Sequence, residues 1–451
     1  MIRAAIEQLP TRTPGAVVVG AALIGGGEKL AGPDHPELGI PVVAGATPDE
    51  ALAAGLDAFD PELVYDLSDE PVLDARSRLR LAARALVRGI AYAGADFRLD
   101  PPPRPRLARK PSVAVIATGK RTGKTAISSS LARLLAERGT PPVIVAMGRG
   151  GPPEPEVVDP TTTDLSPRGL LALADSGRHA ASDHLEDAVM AGVTTVGTRR
   201  CGGGLVGAPV DDTFGAGVEL ANGRPESLLV LEGSGAAIPP AHADATVLVV
   251  PATADPELVT GYLGAHRVLL SDLVVVTMAE QSLADSGAAV SVEGVAPAAS
   301  IVDLERSVRG LAPGVAVVHV VFRPFPLEPI SGRRVFYVTT APAWAMSRMA
   351  SHLEREHGCK VVGTSPNLAH RPELAEDLEG MESADVLLVE LKAAAVDLAA
   401  RVALERGMEV TFCDNRVVST GGDGTFDELA LTTADLAIGR FGQTHSAKRI
   451  P

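Results

Sequence analysis

The stretch "ATGKRTGKTAISSSLARLL" (117–135) decides how this chain is read. It continues an unbroken apolar run, "PSVAVIAT" (111–118), and passes into apolar residues at helical spacing. A strand, a glycine-bearing loop and a helix in that order form the setting in which backbone N–H groups wrap a phosphate chain. A lysine there reaches the terminal phosphates and a hydroxyl meets magnesium. Gly123, Lys124 and Thr125 occupy the last three places of the pattern G-x-x-x-x-G-K-[ST], whereas Thr118 stands in the leading glycine's place and Gly119 comes one residue late. Gly119, Lys120, Arg121, Thr122, Gly123, Lys124 and Thr125 are expected to hold the phosphates of a nucleotide, with Lys124 as the catalytic cation and Thr125 on the metal. The alternative is a glycine-rich turn with an incidental lysine. Lys120 and Arg121 bring more positive charge than one nucleotide loop needs, and the two are read as further catalytic cations that serve a second phosphate-bearing ligand.

Outward from this loop, buried-strand candidates recur at "PPVIVAMG", "SLLVLEG", "ATVLVVP" and "DLVVVTM", with intervals long enough for crossover helices. The fold class expected is α/β, a central doubly wound parallel sheet carrying the phosphate loop. Two proline-rich stretches, "LDPPPRPRLARKP" (99–111) and "FRPFPLEPISG" (322–332), suit neither helix nor inner strand and suggest three units. The expected division is a small N-terminal α/β domain (1–98), a linker (99–111), the phosphate-loop domain (112–325) and a C-terminal α/β domain (326–451). In the first, "AVVVGAALI" and "PELVYDL" read as strands and "DARSRLRLAARALVRG" as a helix stopped by Gly89. In the last, "RRVFYVTTAP", "CKVVGTS", "ADVLLVELKA" and "MEVTFCD" predict a second parallel sheet with ligand-facing residues at the carboxyl ends of its strands.

The totals limit the partners. The 451 residues carry a formal net charge of −15, which argues against broad nucleic-acid or anionic-membrane binding, so an anionic ligand requires a local cluster of cations. No apolar run approaches the roughly eighteen residues of a membrane span. Three cysteines, Cys201, Cys359 and Cys413, are far apart, fit a reducing compartment and form no metal-ligand pattern; with no secretory leader legible, the expected location is the cytoplasm. Aromatic residues make up only 3% of the chain, so its cores must be built from Ala, Val and Leu.

Glu232 ends the apolar run "LLVLEGSG" (228–235) beside glycines, where a carboxylate can hold Mg²⁺ directly or through water; capping the next turn is the alternative. Arg149 lies between glycines in "VAMGRGGPPEPE" (145–156), and Arg199 and Arg200 precede a triple glycine in "TRRCGGG" (198–204). Glycine-flanked guanidinium groups suit a clamp on phosphate oxygens, and the three are candidate substrate-binding residues. "SGRHAASDHLEDAV" (176–189) gathers His179, Asp183, His184, Glu186 and Asp187 near a helix start. The histidines are five apart and do not share a helical face, so a polar substrate contact and a capped, solvated helix are the readings left open. Alternation places Glu390 and Lys392 on one face at a strand end, where a plain ion pair is the ordinary reading.

Taken together, "GKRTGKT", "VAMGRGGPPEPEVV", "LEGSGAAIPP", "ELKAAAVDLA", "DLSDEPVLDARSRLRLAARAL" and "YAGADFR" resemble the cyclic 2,3-diphosphoglycerate synthetase family over most of the chain. The phosphate loop and the Glu-Gly-Ser-Gly element are shared with the wider class that includes dethiobiotin synthetase. The resemblance implies an ATP- and Mg²⁺-dependent ligase that closes 2,3-diphosphoglycerate into a ring through an internal phosphoanhydride, releasing ADP and phosphate. It also implies a soluble homodimer. Where the family leads one to expect a stretch like Asp-Gly-Glu-His-Tyr, this chain reads "LIGGGEKLAGP" (23–33). Two other readings remain at this level: a different ATP-dependent ligase or kinase acting on a small acidic metabolite, and a nucleotide-switched scaffold or metallochaperone. Neither a guanine-reading string nor a Cys/His cluster supports the latter.

Overall fold

The computed structural model describes residues 2–25, 38–280 and 298–447. Residues 26–33 of the divergent N-terminal stretch lie outside them. The chain forms two compact units, Met1–Pro102 with Pro256–Leu270, and Pro103–Asp255 with Ser271–Pro451.

The smaller unit is α/β, as its sequence leads one to expect. Thr47 accepts a hydrogen bond from Glu50 N and starts the helix Pro48–Phe59, and Asp74 does the same through Ser77 N for the helix Ala75–Val87. The strand expected across 16–24 shrinks to Ala21–Leu23, paired in parallel with Val42–Ala44. Its ladder starts where Ala21 N donates to Pro41 O, and Val17 upstream is exposed. A second small sheet joins Leu63–Tyr65, Ala91–Ala93 and Arg98–Leu99. The short helices Pro256–Thr260 and Ala265–Leu269 belong to this unit, with Arg76 Nη1 3.1 Å from Glu257 Oε1. Adjacency in sequence to the phosphate-loop strands made them look like part of the other one.

The larger unit is organised by one sheet of 13 strands. In chain order these are β1 (Ser112–Ala117), β2 (Pro142–Gly148), β3 (Glu156–Val158), β4 (Thr195–Cys201), β5 (Asp211–Asp212), β6 (Leu228–Glu232), β7 (Ala245–Pro251), β8 (Leu273–Thr277), β9 (Ala316–Pro326), β10 (Arg334–Val338), β11 (Lys360–Ser365), β12 (Val386–Glu390) and β13 (Glu409–Gly422). Their order is 5-4-2-6-1-7-8-9-13-12-10-11, with β3 beside β4. Strands β4, β2, β6, β1, β7, β8 and β9 run parallel, and β1, β2 and β6 are buried throughout, as fits a sheet covered on both faces. The helix α1 (Lys124–Glu137) sets Ile127, Leu131 and Leu135 against Val113, Val115 and Ile144 of that sheet.

One expectation is corrected here. The C-terminal strands do not build a second sheet: β13 pairs antiparallel with β9, and β12, β10 and β11 continue from it. The expected boundary at 325/326 lies within the larger compact unit, at the end of β9. Pro324 and Pro326 are tolerated since Leu327 N donates to Phe412 O, so by alternation the two prolines face away from β13. The β8 partner ends earlier, at the pair Val276 and His319. Helices also cross the boundary. Phe426, Ala430 and Ala434 of the C-terminal helix Phe426–Ala447 pack on the phosphate-loop half, and Leu185 and Ala188 of α2 (Asp183–Ala191) pack with Leu387 and Val389 of β12.

The register positions the site. Val276, near the carboxyl end of β8, pairs with His319, while Glu390, at the carboxyl end of β12, pairs with Cys413 and through it aligns with Pro326. Because β12 runs opposite to β8, the two sets of carboxyl ends face each other, roughly 23 Å apart along β9 at ~3.3 Å per residue.

Candidate active site

The phosphate loop leaves β1 after Ala117. Thr118, in the place of the leading glycine, still acts as strand, its N–H donating to Val249 O at 3.2 Å. The turn therefore opens one residue late, at Gly119, where an added Cβ would meet nothing within 4 Å. Arg121 has a left-handed φ of 58°, uncommon for a residue with a side chain, and it and Lys120 are exposed. Thr122 is buried; its carbonyl accepts from Thr277 Oγ1 at 2.6 Å. Gly123 caps α1 at φ 88°, and a Cβ there would stand 2.3 Å from the Phe322 ring. No acidic residue occupies the first turn of α1, so its free N–H groups and helix dipole are left to an anion.

Lys124, the first residue of α1, is buried and hydrogen-bonds Glu232, which is 0% exposed. Strand β6 lies directly beside β1, with Glu232 opposite Val115, and that neighbour relation brings the two residues together from 108 positions apart. Glu232 is also in hydrogen-bonding contact with the Asp187 carboxyl. Thr125 is half-buried in the same helical turn as Lys124.

Helix α2 adds a row of acids that the sequence left between two readings. It is a buried helix, not a solvated one: His184, Glu186 and Asp187 are all enclosed. Asp187 accepts from Ser129 Oγ of α1 at 2.9 Å, and its carboxyl is in hydrogen-bonding contact with that of Glu232. Burial, and then the nearby Glu232, push the Asp187 carboxyl well up. Burial raises Asp183 too, against the pull of Lys124. Glu186 is pushed up to about 8 by burial, with Lys392 opposing. Ionisable residues in a helix ordinarily signal a solvated face, so no local pattern announced this enclosure.

The arginine candidates separate. An added Cβ at Gly235 would lie 3.3 Å from Lys120 Cγ and 3.6 Å from Arg200 Nη2, which places those two cations side by side. Burial, and then the neighbouring Arg149, lower the Arg200 guanidinium. Arg200 Nη2 donates to Ser234 O at 2.8 Å, in the loop after Glu232. Lys120, Arg149 and Arg200 thus share one corner. Arg199 alternates to the other face of β4, with its Nε on Gly151 O at 3.1 Å. His179 stands near Gly150, about 3.5 Å from where a Cβ would be. Glu390 and Lys392 do not form an isolated pair: Thr339, Thr340 and Asn415 hold Glu390, and Lys392 reaches Glu186 of α2 at 3.2 Å.

A phosphate loop on a doubly wound parallel sheet, with a lysine from the helix that follows it and a carboxylate from the neighbouring strand at its mouth, defines the chain as a P-loop protein that binds nucleotide phosphates. The family models resolve the class further. That for "Cyclic 2,3-diphosphoglycerate synthetase, P-loop domain" matches residues 112–304, that for the N-terminal domain 1–100 and that for the C-terminal domain 326–416. A protein of Rubrobacter xylanophilus named cyclic 2,3-diphosphoglycerate synthetase is 48% identical over 416 residues, covering 92% of this chain and 91% of that protein. Proteins of the same name from Methanothermus fervidus and Thermococcus gammatolerans are 39% and 44% identical, covering 94% and 93% of this chain and 92% of each. The chain belongs to the cyclic 2,3-diphosphoglycerate synthetase family.

Proposed function

We propose that the protein uses ATP and Mg²⁺ to close 2,3-diphosphoglycerate into cyclic 2,3-diphosphoglycerate, with release of ADP and phosphate. One substrate phosphate oxygen attacks the γ-phosphorus of ATP, and the bond to ADP breaks. The other substrate phosphate then attacks the phosphorus of the activated one; the internal phosphoanhydride forms and inorganic phosphate leaves. No strong base is needed, because phosphate oxygens are already anionic; the requirement is orientation and charge neutralisation.

The observation that carries this reading is the cation corner beside the phosphate loop. Several phosphates crowded together repel strongly in a low-dielectric site, and Lys120, Arg149 and Arg200 supply charge beyond what Lys124 provides for the nucleotide. Arg121, at the rim, adds to the same field, and Arg199 orders the Gly150–Gly151 turn that carries Arg149. The N–H groups opening α1 hold the nucleotide phosphates, with Lys124 exchanging Glu232 for the terminal one. The buried carboxylate of Glu232, with the Asp187 carboxyl beside it, is an all-oxygen donor set that fits a hard cation. Glu232 and Thr125 would hold Mg²⁺, which supplies neutralisation of the β- and γ-phosphates. The free cysteines are consistent with the cytoplasm, and we take the working form to be a homodimer. Among the described residues no helix is long and apolar enough to cross a membrane.

Purified protein, ATP, Mg²⁺ and 2,3-diphosphoglycerate should give a new phosphoanhydride ³¹P signal. ATP consumption stimulated by a different acidic metabolite, with no such signal, would replace this reading with another ligase or kinase.

A further inference from the structure

The C-terminal strands contribute no residue to the mechanism above, yet their carboxyl ends face the phosphate loop. We propose that Lys392 is a second phosphate-binding lysine of the active site, held by Glu186 until an anionic phosphate of the substrate replaces that carboxylate. The inference rests on the proposed ring closure for the identity of the substrate, though not for the presence of an anion.

Lys392 follows β12 by two residues and points to the phosphate-loop half: its Nζ is 3.2 Å from Glu186 Oε1 on α2. The adjacent Asp187 binds Ser129 of α1, and Asp183, one turn back on α2, feels both Lys124 and Lys392. Both lysines, one from each half of the sheet, thus act on one carboxylate.

Lys392 is not required to satisfy Glu390. That carboxylate accepts from Thr339 Oγ1 at 2.6 Å, Thr340 N at 3.0 Å, Thr340 Oγ1 at 2.9 Å and Asn415 Nδ2 at 3.1 Å. Glu186 is the exchangeable partner. Burial raises its carboxyl to about 8 against the pull of Lys392, whose ammonium is in turn held charged by Glu186 and Glu390. The Lys392 side chain is 30% exposed, against 9% for Glu186, so solvent reaches part of it.

The backbone around Lys392 is held in an unfavourable form. Ala393 has a left-handed φ of 46°, a conformation that glycine adopts at lower cost, and residues Ala395–Ala400 form a π-helix. Both features concentrate at functional sites, where positioning offsets their cost. A plain surface ion pair calls for neither.

The test titrates 2,3-diphosphoglycerate, and separately ADP, into the full-length wild type and the variants Lys392→Met, Lys392→Arg and Glu186→Gln, with Mg²⁺ present. Lys392→Met should weaken diphosphoglycerate binding by about tenfold or more, as loss of a charged hydrogen bond does, while ADP binding stays within about twofold. Lys392→Arg should retain part of the affinity, and Glu186→Gln should leave it equal or tighter, because the competing carboxylate is gone. Unchanged diphosphoglycerate binding in Lys392→Met overturns the proposal. So do parallel losses in Lys392→Met and Glu186→Gln with the same fall in thermal stability, which would make the pair structural. If the wild type does not take up 2,3-diphosphoglycerate, the proposed function fails instead, and inorganic pyrophosphate titrated in the presence of ADP decides the role of Lys392 by the same comparison.

Discussion

Lys124, opening helix α1, and Glu232, closing the adjacent strand β6, meet as a buried ion pair. Under the proposed function the pair supplies a cation for the terminal phosphate and an anion for the metal.

Removing one member leaves the other charged and unsatisfied. Lys124→Met should abolish turnover and destabilise the ligand-free protein by about 3–5 kcal/mol. The double variant Lys124→Met/Glu232→Gln should recover much of that stability and none of the activity. Urea unfolding beside a turnover assay checks both; stability lost equally in the double variant would show that the pair is not the source.

Gly123 is constrained twice, by a φ of 88° and by the Phe322 ring. Gly123→Ala should weaken ATP binding at least tenfold. Gly123→Ala/Phe322→Leu should relieve the clash but leave a left-handed alanine, a cost of about 1–2 kcal/mol. Full restoration of ATP affinity in the double variant would exclude the backbone contribution.

The two faces of β4 should separate in kinetics. Arg200→Gln and Arg149→Gln are expected to raise KM for the phosphorylated substrate tenfold or more with little change for ATP. Arg199→Gln, whose Nε binds Gly151 O, should act mainly through the order of the Arg149 turn and give a smaller effect. Equal losses for both substrates in Arg200→Gln would make that residue structural.

Two buried groups of α2 give opposite pH dependence. Burial lowers His184 from 6.5 to about 4, so its contribution to stability is present above 6.5 and lost as pH falls toward 4. Burial raises Glu186 from 4.5 to about 8, so its contribution is full below 4.5 and is lost as pH rises through 8. Between pH 6.5 and 8 only the acid acts, and the Tm of the ligand-free protein should fall across that window. Glu186→Gln should flatten the fall, leaving the part due to Asp183 and Asp187. An unchanged slope in a thermal melt series would remove Glu186 as its source.

The phosphate loop was legible because its chemistry is local: Gly123, Lys124 and Thr125 are consecutive, and the strand and helix on either side are written as an apolar run and a helical pattern. Glu232 was legible as a carboxylate closing a buried strand. The acids of α2 were not, because a helix bearing Asp183, Glu186 and Asp187 has the same sequence whether its charges meet water or meet Lys124 and Lys392. The prolines at 324 and 326 misled for a related reason: a missing N–H matters only on the side where a partner strand lies, and partners are not adjacent in sequence.

The order of residues by itself determined the α/β class, the nucleotide loop and the family, since each depends on neighbours along the chain. Only the tertiary structure decided that one sheet runs through both halves, that Arg200 rather than Arg199 joins Lys120, and that Lys392 reaches Glu186. Those outcomes depend on strand order, on register and on which face is covered, and a change of one residue in register would reverse every side chain that a strand presents.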